Sequence, residues 1–251
     1  MKKIEIGTSG FYYRSNKNKF YPEKLTEPKL TYYARYFNSV EINSTFYKLP
    51  TIKTFENWYK LTPDNFNFSI KLSKDITHVN KLKLDTNTKT LVRQFLKNVS
   101  GLQNKLKVIL IQLPKSYKYN PITLDKFLEF INQELKMVNK GCKLVIEFRS
   151  EECFNTECFK ILKKYKIGLV INDSYYFPKV TKFTSSFSYI RMHGPLSLYT
   201  SNYTNAELNK LKDYIETFPK TLKQIYIYFN NDFNGYAVNN ALFLKKIINK
   251  P

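Results

Sequence analysis

The stretch KLVIEFR, residues 143–149, is a short apolar run that ends in two charged residues two positions apart. Residues i and i+2 of a strand face the same side, so Glu147 and Arg149 project together. Four other runs end in the same way, with the pairs Glu41/Asn43, Ser69/Lys71, Arg191/His193 and Asn230/Asp232. Apolar strands with polar side chains at their carboxyl ends are typical of a closed parallel barrel, whose site lies at that end.

Strand and helix patterns alternate along the whole chain. Strands are predicted at 3–7, 39–43, 67–71, 108–112, 143–149, 168–173, 188–193 and 224–230. Helices are predicted at 28–37, 51–60, 86–99, 123–138, 156–164, 204–218 and 237–249. The stretch 174–187 contains Pro178 and no helical period, which indicates an irregular crossover between strands 6 and 7. The pattern predicts an α/β fold, a single (β/α)8 TIM-barrel-like domain over residues 1–251. An open doubly wound sheet is the alternative, but no glycine-rich phosphate motif follows the first strand.

The composition is that of a folded and strongly basic chain. Of the 251 residues 43% are hydrophobic, and no apolar run reaches the roughly 18 residues of a membrane span. The start, MKKIEIGTSG, has the alternation of a strand rather than of a signal peptide, so we expect a cytoplasmic protein. An odd number of cysteines without CxxC spacing argues against a disulfide framework or a zinc site. The net charge of +21 attracts polyanions, although a lysine-rich composition also arises without any ligand.

Several motifs resemble those of the YecE-like family, which is catalogued as a domain of unknown function. They are IGTSG at 6–10, FYP at 20–22, VEINSTFYKLP at 40–50, FSIK at 68–71, QLP at 112–114, EFR at 147–149, YIRMHG at 189–194 and YFNNDFNGYAVNNA at 228–241. The resemblance implies a TIM-barrel-like fold with these motifs gathered at one end, but no substrate. This chain has Phe11 where the family usually has tryptophan. It also has Ser150, Glu152 and Cys153 where a histidine and a Ser-Trp pair are usual, so its ligand preference is expected to differ.

The charged strand ends supply the candidate catalytic residues. Glu147, with His193 or Glu41, is expected to transfer protons, since carboxylates and histidines are the usual acid–base groups. The alternative for Glu147 and Arg149 is a buried ion pair that holds the structure. The alternative for Glu41 is neutralisation of Lys71 or of an arginine across the lumen.

The basic strand ends supply the candidate anion ligands. Arg191 is the first of them, because loops after the last strands of such barrels often bind phosphate. Arg149 and Lys71 are the others, and a desolvated Lys71 offers a Schiff base as an alternative. The IGTSG segment is either an anion-binding nest of backbone amides or a tight turn.

Further candidates for substrate binding are polar or aromatic residues near the strand ends. They are Asn43, Gln112, Asp173, Asn230, Asn231, Asp232, Tyr12, Tyr199 and Tyr203. Asparagines also stabilise turns, which is the alternative for residues 230–232. The sequence requires no cofactor, and its two histidines, His78 and His193, do not predict a transition-metal site. A divalent Mg2+ or Mn2+ on Glu41, Glu147 or Asp173 stays an alternative.

Aromatic and basic residues are interleaved in the loops that follow the strands. The aromatic ones are Phe11, Tyr12, Tyr13, Phe46, Tyr47, Tyr117, Tyr119, Tyr175, Tyr176, Phe177, Tyr199, Tyr203, Phe233 and Tyr236. The basic ones are Arg14, Lys17, Lys19, Lys48, Lys74, Lys81, Lys83, Lys115, Lys118, Lys179 and Lys182. Stacking rings within a positive rim are what single-stranded nucleic acid binding uses.

Three functions are compatible with these residues. The first is an enzyme acting on a phosphate-bearing substrate at the barrel mouth, such as a phosphate-ester or nucleic-acid-processing hydrolase. The second is a non-catalytic barrel that binds nucleic acid. The third is a lyase or isomerase-type enzyme that transfers protons on a small acid or sugar. We rank the first above the other two, expect no membrane partner, and leave the oligomeric state open.

Overall fold

The computed structural model describes residues 2–13 and 20–249, in which eight parallel strands form one sheet. The strands are β1 (Lys3–Thr8), β2 (Ser39–Ile42), β3 (Asn67–Lys71), β4 (Leu106–Gln112), β5 (Lys143–Glu147), β6 (Gly168–Ser174), β7 (Phe187–Gly194) and β8 (Gln224–Phe229). Their order is β1-β8-β7-β6-β5-β4-β3-β2, and a bridge between Ser9 and Glu41 joins the two edges. The sheet therefore closes almost completely, which confirms the TIM-barrel-like class.

Helices follow most of the strands and cover the outside of the barrel. They are α1 (Lys29–Tyr36), α2 (Ile52–Lys60), α3 (Thr86–Val99), α4 (Pro121–Val138), α5 (Thr156–Lys164), α6 (Asn205–Glu216) and α7 (Tyr236–Ile248). Residues 175–186 contain no helix, which confirms the irregular crossover between β6 and β7. The helix α4 begins earlier than predicted, because Asn120 caps it and Pro121 suits the first helical position. None of the helices in the described part of the chain has the length and apolar character needed to cross a bilayer.

The core has an inner and an outer layer. The inner layer fills the lumen with Val108, Leu110, Val145, Val170, Phe187, Tyr189, Tyr226 and Tyr228. The outer layer packs the other strand faces against the helices. Because the lumen is filled with side chains, the polar residues at the carboxyl ends of the strands lie above a packed interior.

The closure between β1 and β2 depends on Gly7. A Cβ atom at Gly7 would lie 2.1 Å from the carbonyl oxygen of Ser39, so no other residue fits without moving the backbone. Beyond β1, the amides of Ser9 and Gly10 donate to carbonyls of neighbouring strands at 2.8 and 2.7 Å. Protein acceptors therefore use these amides, which favours the tight turn over the anion nest.

Candidate functional site

The predicted catalytic and anion-binding residues meet at the carboxyl ends of the strands. Glu41, Lys71, Glu147, Arg191 and His193 face the lumen from β2, β3, β5 and β7, because alternate residues of a strand share a face. All five are buried, and Lys71 keeps the largest exposed fraction, 8%. The structure therefore brings these five residues together at one end of the barrel, and their functional role stays a prediction.

Arg191 is held between two carboxylates. Its Nε and Nη2 donate to the two oxygens of Glu41 at 2.9 and 2.7 Å, and its Nη1 donates to Glu147 at 2.6 Å. Burial would lower the pKa of Arg191, but the two carboxylates outweigh it and raise the pKa above its usual range. Glu41 thus neutralises an arginine across the lumen. This is the structural role that the sequence analysis gave as the alternative to proton transfer by Glu41.

Glu41 has further partners that the sequence analysis did not select. The Tyr189 hydroxyl donates to Oε2 of Glu41 at 2.7 Å, and the Ser9 hydroxyl donates to Oε1 at 2.6 Å. A hydrogen bond of 2.6 Å also joins the hydroxyls of Tyr189 and Ser69. A signal for Tyr189 was present, because it precedes Arg191 by two positions and so shares its face. Ser9 had no comparable signal, since it lies just beyond the end of β1, where it bridges to Glu41.

Arg149 also pairs with Glu147 but reaches the mouth of the barrel. Its Nε donates to Glu147 at 3.0 Å, its Nη2 donates to the Tyr199 hydroxyl at 3.4 Å, and its guanidinium lies 4.0 Å from the Phe177 ring centroid. Its side chain is 17% exposed, against 1% for Arg191. Burial would raise the pKa of Glu147, but the two guanidinium groups outweigh it and hold that pKa well below its usual range. Glu147 is therefore ionised at neutral pH.

His193 is buried and neutral. The Asn230 amide donates to Nδ1 of His193 at 3.2 Å, so Nε2 carries the proton and donates to Asn172 at 3.3 Å. Glu147 lies 4.0 Å from that Nε2 atom. Burial, reinforced by the charge of Arg191, lowers the pKa of His193 well below its usual value. The ring therefore stays neutral through the physiological range, with its single proton on Nε2.

Asp173, a candidate binding residue, faces away from the lumen. Its carboxylate accepts a hydrogen bond from Tyr203 at 2.8 Å and pairs with Lys179 at 2.5 Å, in a groove between the barrel and α6. Tyr203, another candidate, lies in the same groove. The preceding residue, Asn172, faces the lumen instead. Strict alternation along β6 indicates this, because Val170 already belongs to the inner layer.

The remaining polar candidates lie at the edge of the site. Asn231 donates to two acceptors of neighbouring segments at 2.9 Å each, so it ties chain segments together. Asp232 and Tyr12 are exposed at the rim. Asn43 is half-buried, and its amide oxygen has no hydrogen-bond partner among the described residues. The structure therefore brings Asn230 into contact with His193, whereas Asn231 joins neighbouring segments and Asp232 and Tyr12 stay at the rim.

Lys71 is the cation of the site that lacks a partner. Its Nζ lies 4.1 Å from the centroid of the Phe46 ring. No residue within 2–13 and 20–249 accepts a hydrogen bond from this atom or forms a salt bridge with it. Burial, followed by the charge of Arg191, lowers the pKa of Lys71 to about 7. The amine therefore exchanges its proton close to neutral pH.

His78 and Gln112 lie on the same side of the mouth as Lys71. The His78 ring meets the edge of Phe46, with centroids 4.7 Å apart. The Gln112 amide donates to Nε2 of His78 at 3.4 Å and to the carbonyl of Leu113 at 2.9 Å. Burial and the charge of Lys71 lower the pKa of His78 to about 4. The sequence pattern left His78 apart as a loop residue, whereas it lies in a helical turn, Asp75–Val79, that is too short to show a periodicity.

The mouth of the barrel offers few free carboxylates that could bind a metal ion. Guanidinium groups engage both Glu41 and Glu147. Among the residues that the structure describes, no group of three or more His, Cys, Asp or Glu side chains could hold a metal ion. Lys71 and Arg149 are charged groups of the site that keep some exposed surface.

The aromatic rim divides into exposed and packed rings. Tyr12, Tyr47, Tyr175, Tyr176 and Phe233 are more than half exposed. The other rings of the set are buried or half-buried and pack the loops. Three of the predicted basic positions, Arg14, Lys17 and Lys19, lie outside the described residues.

A family model described as protein of unknown function DUF72 matches residues 5–251. The UPF0759 protein YecE of Escherichia coli (strain K12) is 35% identical over 121 residues, which are 48% of this chain and 43% of YecE. The matched segment thus spans less than half the length of that relative. The UPF0759 protein YunF of Bacillus subtilis is 22% identical over 267 aligned residues, covering 95% of this chain and 92% of YunF. The crystal structure of a DUF72 family protein from Thermotoga maritima superposes with a TM-score of 0.82 and 28% identity, covering 99% of this chain and 100% of that one.

Proposed function

Because the chain belongs to the DUF72 family, whose function is unknown, we propose a function from the chemistry of its site. The protein is an enzyme that acts on a small phosphate-bearing substrate at the mouth of the barrel. Lys71 and Arg149 are the phosphate ligands. Arg191, the first candidate from the sequence, instead holds the two carboxylates in place.

The observation that carries this proposal is the charge balance of the site. Three cations, Arg191, Arg149 and Lys71, face two carboxylates, and both carboxylates are already engaged by the arginines. A buried ammonium without a negative partner is costly, which is why its pKa falls. A bound anion would supply the missing charge and restore the proton on Lys71.

Phosphate fits this surrounding because several donors converge on the opening. Arg149 offers a planar fork and Lys71 a compact point charge, and both are common phosphate ligands. Arg149 also lowers the pKa of Lys71, so the two charges act on each other across the mouth. The Gln112 amide is not a third donor, because His78 and the carbonyl of Leu113 already accept its two N–H groups.

Proton transfer in this enzyme falls to Lys71. Glu147 is ionised and His193 is neutral at physiological pH, so neither changes its charge there. The amine of Lys71 titrates at about 7 and gains a proton when an anion binds. In hydrolysis of a phosphate monoester, water forms the new P–O bond as the ester P–O bond breaks. A protonated Lys71 then donates its proton to the leaving oxygen, and the proton that the water loses passes to the released phosphate or back to the amine.

A second candidate function rests on the same amine. At a pH above 7 an empty site holds Lys71 largely unprotonated, and a neutral buried amine attacks carbonyl groups or removes a proton beside them. The substrate would then be a small keto acid or sugar, with Arg149 holding its anionic group. This is the lyase or isomerase-type reaction of the sequence analysis.

Binding measurements on three variants test the proposal. We expect inorganic phosphate to bind the wild type, and Lys71→Met to weaken that binding about 10- to 100-fold. Lys71→Arg should keep much of the affinity, since it keeps the charge, and Lys60→Met, on the exposed surface of α2, should change nothing. Sulfate, whose charge is constant, should bind more tightly at pH 6 than at pH 8.5. Equal binding by the wild type and Lys71→Met contradicts the proposal.

Chemical trapping separates the two candidates. Reduction with cyanoborohydride in the presence of a small keto acid or aldose fixes an imine on the reacting amine. An adduct on Lys71, absent from Lys71→Arg, together with no release of phosphate from phosphate monoesters, favours the carbonyl reaction. Release of phosphate without an adduct favours the phosphate ester.

A further inference from the structure

A second cavity adjoins the phosphate-binding pair at the barrel mouth. Its volume is about 480 Å³, and it lies between the loops that follow β4, β5 and β6. Its walls include Lys115, Lys118, Arg149 and Tyr176. Arg149 therefore belongs to both the lumen and this cavity. A substrate whose phosphate binds Arg149 can therefore contact this cavity as well.

One wall of this cavity is an exposed aromatic ring. Tyr176 is 61% exposed, whereas the next residue, Phe177, is 8% exposed because it packs on Arg149 and His193. The Nζ of Lys115 lies 5.5 Å from the centroid of the Tyr176 ring. A ring presented beside a positive charge is a platform on which a planar, electron-rich group stacks.

The lining of the cavity also includes hydrogen-bonding groups that the described part of the protein does not use. The Ser150 hydroxyl and the Glu151 carboxylate have no side-chain partner within the described residues. The neighbouring Glu152 differs, because it accepts hydrogen bonds from Lys118 at 3.1 Å and from the backbone of Tyr119 at 3.3 Å. Ser150 and Glu151 can therefore accept hydrogen bonds from sugar hydroxyls or from the N–H groups of a base.

We propose that this cavity is the nucleoside subsite of the enzyme, so that the phosphate-bearing substrate is a nucleotide. Its base stacks on Tyr176, its sugar hydroxyls meet Glu151 and Ser150, and its phosphate lies between Arg149 and Lys71. This inference rests on the proposed function for the position of the phosphate. The cavity lies within the range of about 300–1,000 Å³ that small-molecule sites occupy, and its mixed walls suit a ligand that is both planar and polar.

Calorimetric binding of a matched ligand series tests the inference. The ligands are inorganic phosphate, ribose 5-phosphate, purine and pyrimidine nucleoside monophosphates, and a short oligonucleotide with a terminal phosphate. A monophosphate should bind about 5- to 100-fold more tightly than ribose 5-phosphate, which is the contribution of a stacked base. A free nucleotide as substrate predicts equal affinity for the monophosphate and the oligonucleotide. If the oligonucleotide binds more tightly than the monophosphate, and Tyr176→Ala removes that difference, the subsite binds the terminal nucleotide of a nucleic acid strand.

Variants of the rim distinguish this subsite from the phosphate site. Tyr176→Ala should abolish the preference for the nucleotide and leave the affinity for ribose 5-phosphate unchanged, whereas Tyr176→Phe should keep it. Tyr47→Ala is the matched control, since Tyr47 is 82% exposed on the loop after β2. If phosphate binding depends on Lys71 but the base adds less than about twofold, the nucleoside subsite is refuted and the proposed function stands. If no phosphate compound depends on Lys71, the proposed function itself fails.

Discussion

Arg191 and Lys71 lie at the same end of the barrel, yet Arg191 forms salt bridges with two carboxylates and Lys71 forms none within the described residues. Arg191 makes three hydrogen bonds to Glu41 and Glu147, while Lys71 contacts the Phe46 ring. The pKa of the first cation is raised and that of the second is lowered. A buried cation therefore serves the fold when the protein supplies its counter-charges, and is available to a ligand when the protein does not.

The largest expected effect concerns the paired cation. Arg191→Met leaves Glu41 and Glu147 buried with one guanidinium fewer, so the free energy of unfolding should fall by about 3–5 kcal/mol. Arg93→Met is the control, because Arg93 also pairs with a glutamate but is 60% exposed, and it should cost less than about 1 kcal/mol. Urea unfolding measures both values. Adding Glu41→Gln and Glu147→Gln to Arg191→Met should recover part of the lost unfolding free energy. Equal losses of stability in Arg191→Met and Arg93→Met would contradict the contrast between paired and unpaired buried cations.

The burial of Lys71 without a salt bridge should make the stability of the protein depend on pH. The pKa of Lys71 is about 7 in the folded protein and about 10.4 in an unfolded chain. Between these values the unfolded state binds more protons, so stability rises with pH from 7 to 10. Below pH 7 both states carry the proton, so the destabilisation by Lys71 is fully present and no longer changes with pH. Relative to Lys71→Met, the wild type should gain about 2–4 kcal/mol over that interval.

The control for this titration is an exposed lysine. Lys60→Met should run parallel to the wild type from pH 7 to pH 10 in the same urea unfolding series. At pH 7, Lys71→Met should be at least as stable as the wild type, since an apolar side chain replaces an unpartnered buried amine. A constant difference between the wild type and Lys71→Met across the interval would mean that Lys71 has a counter-charge after all.

The smallest expected effect concerns Tyr189, which donates a hydrogen bond to the carboxylate that pairs with Arg191. Tyr189→Phe removes the hydroxyl that donates to Glu41 at 2.7 Å and is hydrogen-bonded to Ser69. Leaving a buried acceptor short of one donor should cost about 1–2 kcal/mol. Tyr32→Phe, which removes an exposed hydroxyl bonded to Tyr36, should change stability by less than about 0.5 kcal/mol. Thermal or urea unfolding of the two variants decides whether Tyr189 belongs to the network.

The fold was predictable because its signals are local. Covered strands are short apolar runs, and each predicted run lies within a few residues of an observed strand. The polar pairs at the strand ends located the site for the same reason, since i and i+2 share a face. The prediction that Asp173 binds substrate in the lumen was wrong, and the pattern itself could have corrected it. Val170 faces the lumen, so alternation along β6 places Asn172, not Asp173, on the same face. His78 lies in one helical turn, Asp75–Val79, and Ser9 lies one residue beyond β1, so neither segment is long enough for a period to fix the direction of the side chain.

The sequence by itself determined which chemical groups stand at the barrel mouth, because strand periodicity and the parallel fold bring the carboxyl ends together. Only the tertiary structure decided which of those charges are neutralised. The bond that pairs Arg191 with Glu41 joins residues 150 positions apart, and that of Arg191 with Glu147 spans 44. Such contacts depend on register and on the width of the lumen, which no local pattern encodes. The unpartnered amine of Lys71, the basis of the proposed function, is a consequence of those pairings.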